Sequence, residues 1–159
     1  MNEGLKYAGK LHVTLKDCEG HIKEERHIDN TITNLGLDYL IKTTMDSELT
    51  AMTVFYIGST ASAGAAAAAD TTGETDENFR LAFTYASGAT VGRGSATATF
   101  GASATAGDTT TSITEAGIFG GSGAAAASGA GILFARALFS AVNKGADDSL
   151  EIKWDITYS

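Results

Sequence analysis

The nine residues Leu150-Glu151-Ile152-Lys153-Trp154-Asp155-Ile156-Thr157-Tyr158 decide the fold, because a large apolar side chain stands at every second position. The positions between them carry charged or polar side chains. An alternation of period two is typical of a β-strand with one buried face and one hydrated face. We therefore predict a core strand over residues 150–158, with Ile152, Trp154 and Ile156 as anchors of the core.

The same period recurs towards the N-terminus. Leu11, Val13 and Leu15 alternate with polar residues and lead into a turn at residues 17–20. A second strand over residues 21–28 would complete a hairpin. Apolar or alternating runs predict further strands at residues 53–58, 79–85, 96–100, 113–119 and 131–139, and Phe134 in the last of these is a further core anchor.

One segment changes period. Leu37, Leu40 and Ile41 share one helical face, and Thr33 or Asn34 can cap a short helix near residues 34–43. Seven or eight short strands with glycine-rich turns and one helix predict a mostly β protein. We expect a single domain over residues 1–159, an antiparallel β-sandwich of jelly-roll-like type with one short helix.

Charge and hydropathy exclude several partners. The net charge is −8 and the isoelectric point is near 4.7, whereas a nucleic-acid-binding surface needs clustered lysine and arginine. No apolar run approaches the length that spans a bilayer, and no signal-peptide pattern is present. We expect a cytosolic start, with neither nucleic acid nor membrane as a partner.

Charge is scarce in one long stretch. Residues 81–146 carry only five charged side chains, and the rest are mostly alanine, glycine, serine, threonine and apolar residues. A soluble monomer usually carries more surface charge than this, so we interpret the stretch as partly interfacial. Within it, the loop at residues 120–130 offers Gly123, Ala126 and Ala130 as a candidate interface. The alternative is a small-residue sheet and loops without any partner.

The residue types that carry chemistry do not form a catalytic pattern. Cys18 lies in the predicted turn at residues 17–20 and has no evident general base. The glycine-rich stretches do not precede a helix in the manner of a phosphate-binding loop. We therefore expect no enzymatic activity, no catalytic residues and no cofactor.

Two groups of possible metal ligands are interpreted as solvated. His12, His21 and His27 all lie in the first hairpin, where His21 and His27 have the parity for one face and His12 could lie opposite either. No cysteine or carboxylate pattern of the usual zinc kind accompanies them. The acidic residues Glu74, Asp76 and Glu77 lack the glycine-punctuated order of a calcium loop. We expect no metal site in either group.

One charged pair is expected for structural reasons. Arg136 shares strand parity with Phe134, and Glu115 shares parity with Ile113 and Phe119, so both charges point where apolar side chains point. An unpaired buried charge is very costly, and we predict that these two residues form an ion pair. The alternative is that either strand face lies at a solvent edge.

Several stretches, in order along the chain, resemble a widespread group of structural proteins in tailed-bacteriophage virions. The stretches are His27-Ile28-Asp29-Asn30-Thr31-Ile32-Thr33-Asn34-Leu35-Gly36-Leu37-Asp38-Tyr39-Leu40, then Tyr56-Ile57-Gly58-Ser59-Thr60 with Ala69-Asp70-Thr71-Thr72, Glu74 and Arg80, then Ile113-Thr114-Glu115-Ala116-Gly117-Ile118-Phe119 with Leu133-Phe134-Ala135-Arg136-Ala137-Leu138-Phe139, and finally Val142-Asn143-Lys144-Gly145, Asp148-Ser149-Leu150 and Ile152-Lys153-Trp154-Asp155-Ile156-Thr157. The resemblance implies a virion component, with no catalytic residues to transfer. The alanine-rich insertions after Ser62 and Gly123 depart from the pattern in loops.

The resemblance leaves two expectations open. The first is a capsid decoration or cement protein, a homo-oligomer and most simply a trimer, which stabilises the outer shell by binding the major capsid protein. The second is a tail or fibre-attachment module that binds tail protein and a receptor or carbohydrate. Aromatic residues fall mostly in predicted strands and not in loops, which favours decoration. A bacterial adhesin-like or enzyme domain is a third alternative.

Overall fold

A computed structural model describes residues 7–45, 51–58, 65–71, 77–101, 112–121, 124 and 131–158. Within these ranges the chain forms ten strands and one helix. The elements are β1 (Tyr7–Lys16), β2 (Ile22–Asp29), β3 (Thr31–Ile32), α1 (Asn34–Met45), β4 (Met52–Gly58), β5 (Glu77–Ala82), β6 (Thr84–Ser87), β7 (Arg93–Phe100), β8 (Ser112–Gly120), β9 (Ile132–Asn143) and β10 (Ser149–Tyr158).

The strands form two five-stranded antiparallel sheets. The first sheet has the order β2-β1-β10-β7-β6, and the second has the order β3-β9-β8-β4-β5. Successive hairpins alternate between the sheets, and β10 returns to the first sheet between β1 and β7. The prediction of a mostly β antiparallel sandwich with one short helix is confirmed.

The apolar side chains of the two sheets meet in one core. Leu11, Ile152 and Trp154 of the first sheet are buried against Phe55 and Phe134 of the second. The Trp154 and Phe55 ring centroids are 6.0 Å apart. Burial of this apolar surface is the main stabilising contribution to a sandwich of this kind.

The strand predicted at residues 150–158 is present, but its apolar face is not buried along its whole length. Leu150, Ile152 and Trp154 are inaccessible to solvent, Ile156 is half-buried, and Tyr158 is 44% exposed. The last residues of β10 lie beside Gly92, whose carbonyl accepts a hydrogen bond from the Tyr158 amide at 2.7 Å. Ile156 is therefore a weaker anchor than the alternation predicts.

The prediction of a single strand at residues 79–85 is wrong, because two strands, β5 and β6, occupy this region. The chain instead leaves the second sheet after β5 and enters the first sheet at β6, with Phe83 at the crossing. The Phe83 amide donates to the Thr53 carbonyl at 3.2 Å, and its ring lies 4.8 Å from that of Phe55. The chain thus crosses from one sheet to the other at a partly buried aromatic residue that packs against the core.

The helix is capped as predicted, but its buried face differs. Thr33 Oγ1 accepts a hydrogen bond from the Gly36 amide at 2.9 Å and donates to a carbonyl of β9. Tyr39 is buried, whereas Leu37 and Ile41 are 40% and 67% exposed. In the described part of the chain, no helix is long and apolar enough to cross a membrane.

Candidate functional site: a buried charge cluster on the second sheet

Irregular pairing of β8 with β9 determines where Glu115 and Arg136 point. The register shifts between Ile113 and Glu115, and again where Phe134 is extra on β9. Ile113 and Phe134 therefore pack in the core between the sheets, while Glu115 and Arg136 lie on the opposite, outer face of the second sheet. A bulge reverses the face on which later side chains point, which the sequence parity could not anticipate.

The two charged residues nevertheless pair as expected. Arg136 donates to Glu115 Oε2 from Nε at 2.9 Å and from Nη2 at 2.6 Å. The Glu115 side chain is fully buried and that of Arg136 is 3% exposed. Hydrogen bonds between ionised groups in such a site are short and strong.

Tyr56 of β4 completes the carboxylate shell of Glu115. Its hydroxyl donates to Glu115 Oε1 at 2.5 Å, so both oxygens of the carboxylate accept hydrogen bonds. Gly117 pairs with Tyr56 on one side and with Arg136 on the other. A methyl group at Gly117 would overlap the Tyr56 ring, so the glycine provides the space in which the tyrosine lies across β8.

The segment at residues 65–71 lies over this face and is tied to it by charge. Arg136 Nη1 donates to Asp70 Oδ2 at 2.7 Å, and the same oxygen accepts from the Ala67 amide at 2.9 Å. The carbonyl of Ala68 accepts a hydrogen bond from the Asn34 amide at 2.7 Å. The segment contains neither helix nor strand, and these bonds attach it both to the second sheet and to the start of α1.

Arg136 remains a cation at every accessible pH. Burial acts to lower the Arg136 pKa, but its hydrogen bonds to Glu115 and Asp70, together with the Glu115 charge, outweigh burial and hold the pKa above its ordinary value. One guanidinium group thus bridges a carboxylate of the sheet and a carboxylate of the covering segment.

A second arginine extends the cluster on the same face. Arg80 of β5 lies with its Cζ atom 3.9 Å from the centre of the Phe119 ring, and its Nη1 donates to the Ala124 carbonyl at 2.7 Å. Ala124 is buried and packs with Phe119 and Tyr56. The two arginines therefore hold the start of the loop after β8 and the segment at residues 65–71 against the sheet.

The hydrogen bonds of this cluster link separate segments of the chain to one another. The Arg136 guanidinium group binds the carboxylates of Glu115 and Asp70 within the protein. Neither these three residues nor Tyr56 lines the open cleft described next. That cleft, of about 500 Å³, lies beside the first sheet. It is lined by Ala8, Gly9, Lys10, Asp29, Gly88, Arg93, Gly94, Ser95, Asp155, Ile156 and Thr157.

The remaining candidates of the sequence fall in different places. Cys18 is exposed in the turn between β1 and β2, as expected. Gly123, Ala126 and Ala130 lie outside the described residues, as do Glu74 and Asp76. The structure pairs His12 with His27 across β1 and β2, whereas His21 lies in the turn with Asp17. The sequence left open whether His12 lies opposite His21 or His27, and the register of β1 with β2 selects His27. Sequence parity did not identify the contacts of Tyr56, Asp70 and Arg80, because each depends on a register or a loop path.

Comparisons with protein-family models, with curated proteins and with solved structures return no match for this chain.

Proposed function

We propose that this chain is a non-enzymatic structural protein of a tailed-bacteriophage virion, which decorates the capsid shell as a homo-oligomer, most simply a trimer. It would be made in the host cytoplasm and would bind the major capsid protein on the assembled particle. The ordered resemblance in sequence supports the virion assignment. The observation that supports self-assembly is that one edge strand of the first sheet is exposed and carries no charged side chain.

The two edges of the first sheet differ sharply in charge. Of the eight residues of the β2 edge, Ile22–Asp29, six are ionisable. The β6 edge, Thr84–Ser87, has no lysine, arginine, histidine, aspartate or glutamate, and all four of its residues are exposed. Charged side chains protect an edge strand from pairing with another chain, and an uncharged edge lacks that protection.

Apolar side chains surround the same edge. Tyr85 is 63% exposed and Val91, at the tip of the β6–β7 hairpin, is 99% exposed. Tyr158, which is 44% exposed, lies beside the same hairpin, because its backbone amide donates a hydrogen bond to the Gly92 carbonyl. Exposed apolar groups next to an open edge are typical of a surface that is covered on assembly.

The assembly surface can be tested with matched substitutions. Sedimentation velocity of the purified chain should show a closed oligomer that the double variant Tyr85→Lys with Val91→Lys dissociates. The control is Ile22→Lys, which places a charge at a 60%-exposed apolar residue on the charged edge and should leave the oligomer intact. A wild-type monomer, or equal loss in both variants, would contradict assembly through β6.

The virion assignment needs a separate experiment. Cryo-electron microscopy of particles from the phage that encodes this chain should show copies of the two-sheet sandwich on the outer shell. Copies located on the tail would instead support the alternative of a tail or fibre-attachment module. Purified particles without the chain would overturn both.

One observation favours that alternative. The open cleft beside the first sheet is lined by Lys10, Asp29, Arg93 and Gly94, and the exposed ring of Tyr85 lies against Gly94. The exposed Tyr158 directly follows the lining residue Thr157. Charged hydrogen-bonding groups near exposed aromatic rings suit a carbohydrate ligand. A glycan array that gives reproducible binding, lost on Arg93→Ala, would support this second function.

A further inference from the structure

The outer face of the first sheet brings two histidines together. His12 of β1 and His27 of β2 are directly opposite each other in the antiparallel ladder. Their Nδ1 atoms lie 2.7 Å apart, and the two rings are nearly perpendicular, at 83°. Cross-strand neighbours on one face are close enough to act as two ligands of one ion.

Each ring has a carboxylate at its other nitrogen. His12 Nε2 is shielded from solvent and lies 3.0 Å from Asp155 Oδ2, in an ion-pair contact that is not aligned as a hydrogen bond. His27 Nε2 lies 3.6 Å from Glu25 Oε1, close enough for electrostatic attraction but beyond hydrogen-bond length. A carboxylate at Nε2 favours the tautomer that carries its proton there. In that tautomer both Nδ1 atoms present lone pairs to each other, and two lone pairs at 2.7 Å repel unless a proton or a metal cation lies between them.

The geometry points to a transition-metal site in which His12 and His27 bind the ion through Nδ1, while Asp155 and Glu25 orient the rings from outside. Imidazole pairs suit Zn²⁺, Cu²⁺ and Ni²⁺. Two nitrogens on a tetrahedral zinc ion are separated by roughly 3.3 Å, given bonds of about 2.0–2.1 Å. The two Nδ1 atoms would therefore have to move apart by about 0.6 Å. A small rotation of either side chain on the surface of the sheet provides this movement.

The surroundings suit an ion that is held by two protein ligands. His27 is 58% exposed and His12 is 26% exposed, so the remaining coordination positions are open to water or to a group from another molecule. Lys153, which is opposite His12 on β10, lies 3.1 Å from Asp155, so a carboxylate already balances its charge. The inference is independent of the proposed function.

The test is calorimetric titration of the full-length chain, free of any histidine tag, with ZnCl₂ or CuCl₂ in a buffer that does not bind metals. The wild type should bind one equivalent. His27→Gln and His12→Gln should each lower the affinity at least tenfold, and Asp155→Asn should lower it by roughly 10- to 100-fold, as outer carboxylates of histidine ligands commonly do. The Cu²⁺ electron paramagnetic resonance spectrum should show two coordinated nitrogens.

The third histidine supplies the matched control. His21 lies in the β1–β2 turn with Asp17 and Glu19, the other group of described residues that could hold an ion. His21→Gln should therefore leave the affinity unchanged, and circular dichroism should show all variants folded. Absence of stoichiometric binding by the wild type overturns the site. Loss of binding in His21→Gln with retention in His27→Gln also overturns it, because the metal would then lie in the turn.

Discussion

At Arg136 a single guanidinium group is shared between a strand and the segment that covers it. Its removal would leave the fully buried Glu115 carboxylate without its cation. We expect Arg136→Met to lower the free energy of unfolding by about 3–5 kcal/mol, measured by urea denaturation. The double variant Glu115→Leu with Arg136→Met should recover much of that loss, because no buried charge of the pair remains.

A double-mutant cycle provides the control for this pair. If the two single losses simply add, Glu115 and Arg136 do not interact and the interpretation of the cluster is wrong. Asp70 gives a graded comparison, since it is 20% exposed and binds the same guanidinium group. We expect Asp70→Asn to be milder than Glu115→Gln.

Asp148 links stability to acid pH. Its hydrogen bond with Lys23, at 2.7 Å, and the Gly145 amide hold the pKa of Asp148 below its ordinary value of 3.8. A lowered carboxyl pKa stabilises the fold above pH 3.8, and that contribution is lost as the pH falls through the lowered value. Urea midpoints measured from pH 6 to pH 2 should fall less steeply in Asp148→Asn than in the wild type.

The control for acid stability is a second aspartate in an ion pair. Asp38 pairs with Lys42 on α1, but its side chain is 54% exposed. An exposed pair of this kind adds little to stability, so the urea midpoint of Asp38→Asn should fall between pH 6 and pH 2 about as steeply as that of the wild type. If the pH dependence of the urea midpoint became equally shallow in both variants, the larger contribution expected from the Lys23–Asp148 pair would be contradicted.

At the scale of the element, β10 contains both a core anchor and an exposed aromatic residue. Trp154 is fully buried between the sheets, whereas Tyr158 on the same strand is 44% exposed. Trp154→Ala should lower the free energy of unfolding by about 3–5 kcal/mol through lost burial and a residual cavity. Tyr158→Ala should cost less than about 1 kcal/mol, since it opens no cavity. Similar losses in the two variants would show that the strand is not buried as described.

Elements with an uninterrupted period were predictable, and elements with irregular pairing were not. The alternation in β1 and β10 matches their faces, because these strands pair residue for residue from Tyr7 to Lys16. The pairing of Glu115 with Arg136 was predicted on the premise that both face the main core. The bulges of β8 and β9 place them on the outer face, where the covering segment supplies Asp70. An extra residue in a ladder has no signature in the parity of a sequence.

At the scale of the whole molecule, the sequence predicts an interface between chains at residues that lie outside the described ranges. Gly123, Ala126 and Ala130, in the stretch predicted from sequence as a loop at residues 120–130, remain a predicted interface. Ala126→Glu with Ala130→Glu should weaken oligomerisation or particle binding without unfolding the monomer, as read by sedimentation and particle pull-down. Comparison with Tyr85→Lys and Val91→Lys at the β6 edge would show which surface dominates. A double variant that assembles like the wild type would exclude the loop.

The position of β10 in the first sheet also has a kinetic consequence. Among the described strands, the β1–β2 and β6–β7 hairpins are not paired directly with each other; β10, which follows all the others in chain order, pairs with both β1 and β7. During synthesis at about 5–20 residues per second, β1 would wait on the order of ten seconds for its central partner. Sheets closed by such distant pairing fold slowly, in milliseconds to seconds. Until β10 docks, the facing edges of both hairpins stay open, so crowded nascent chains are most prone to mispairing at that stage.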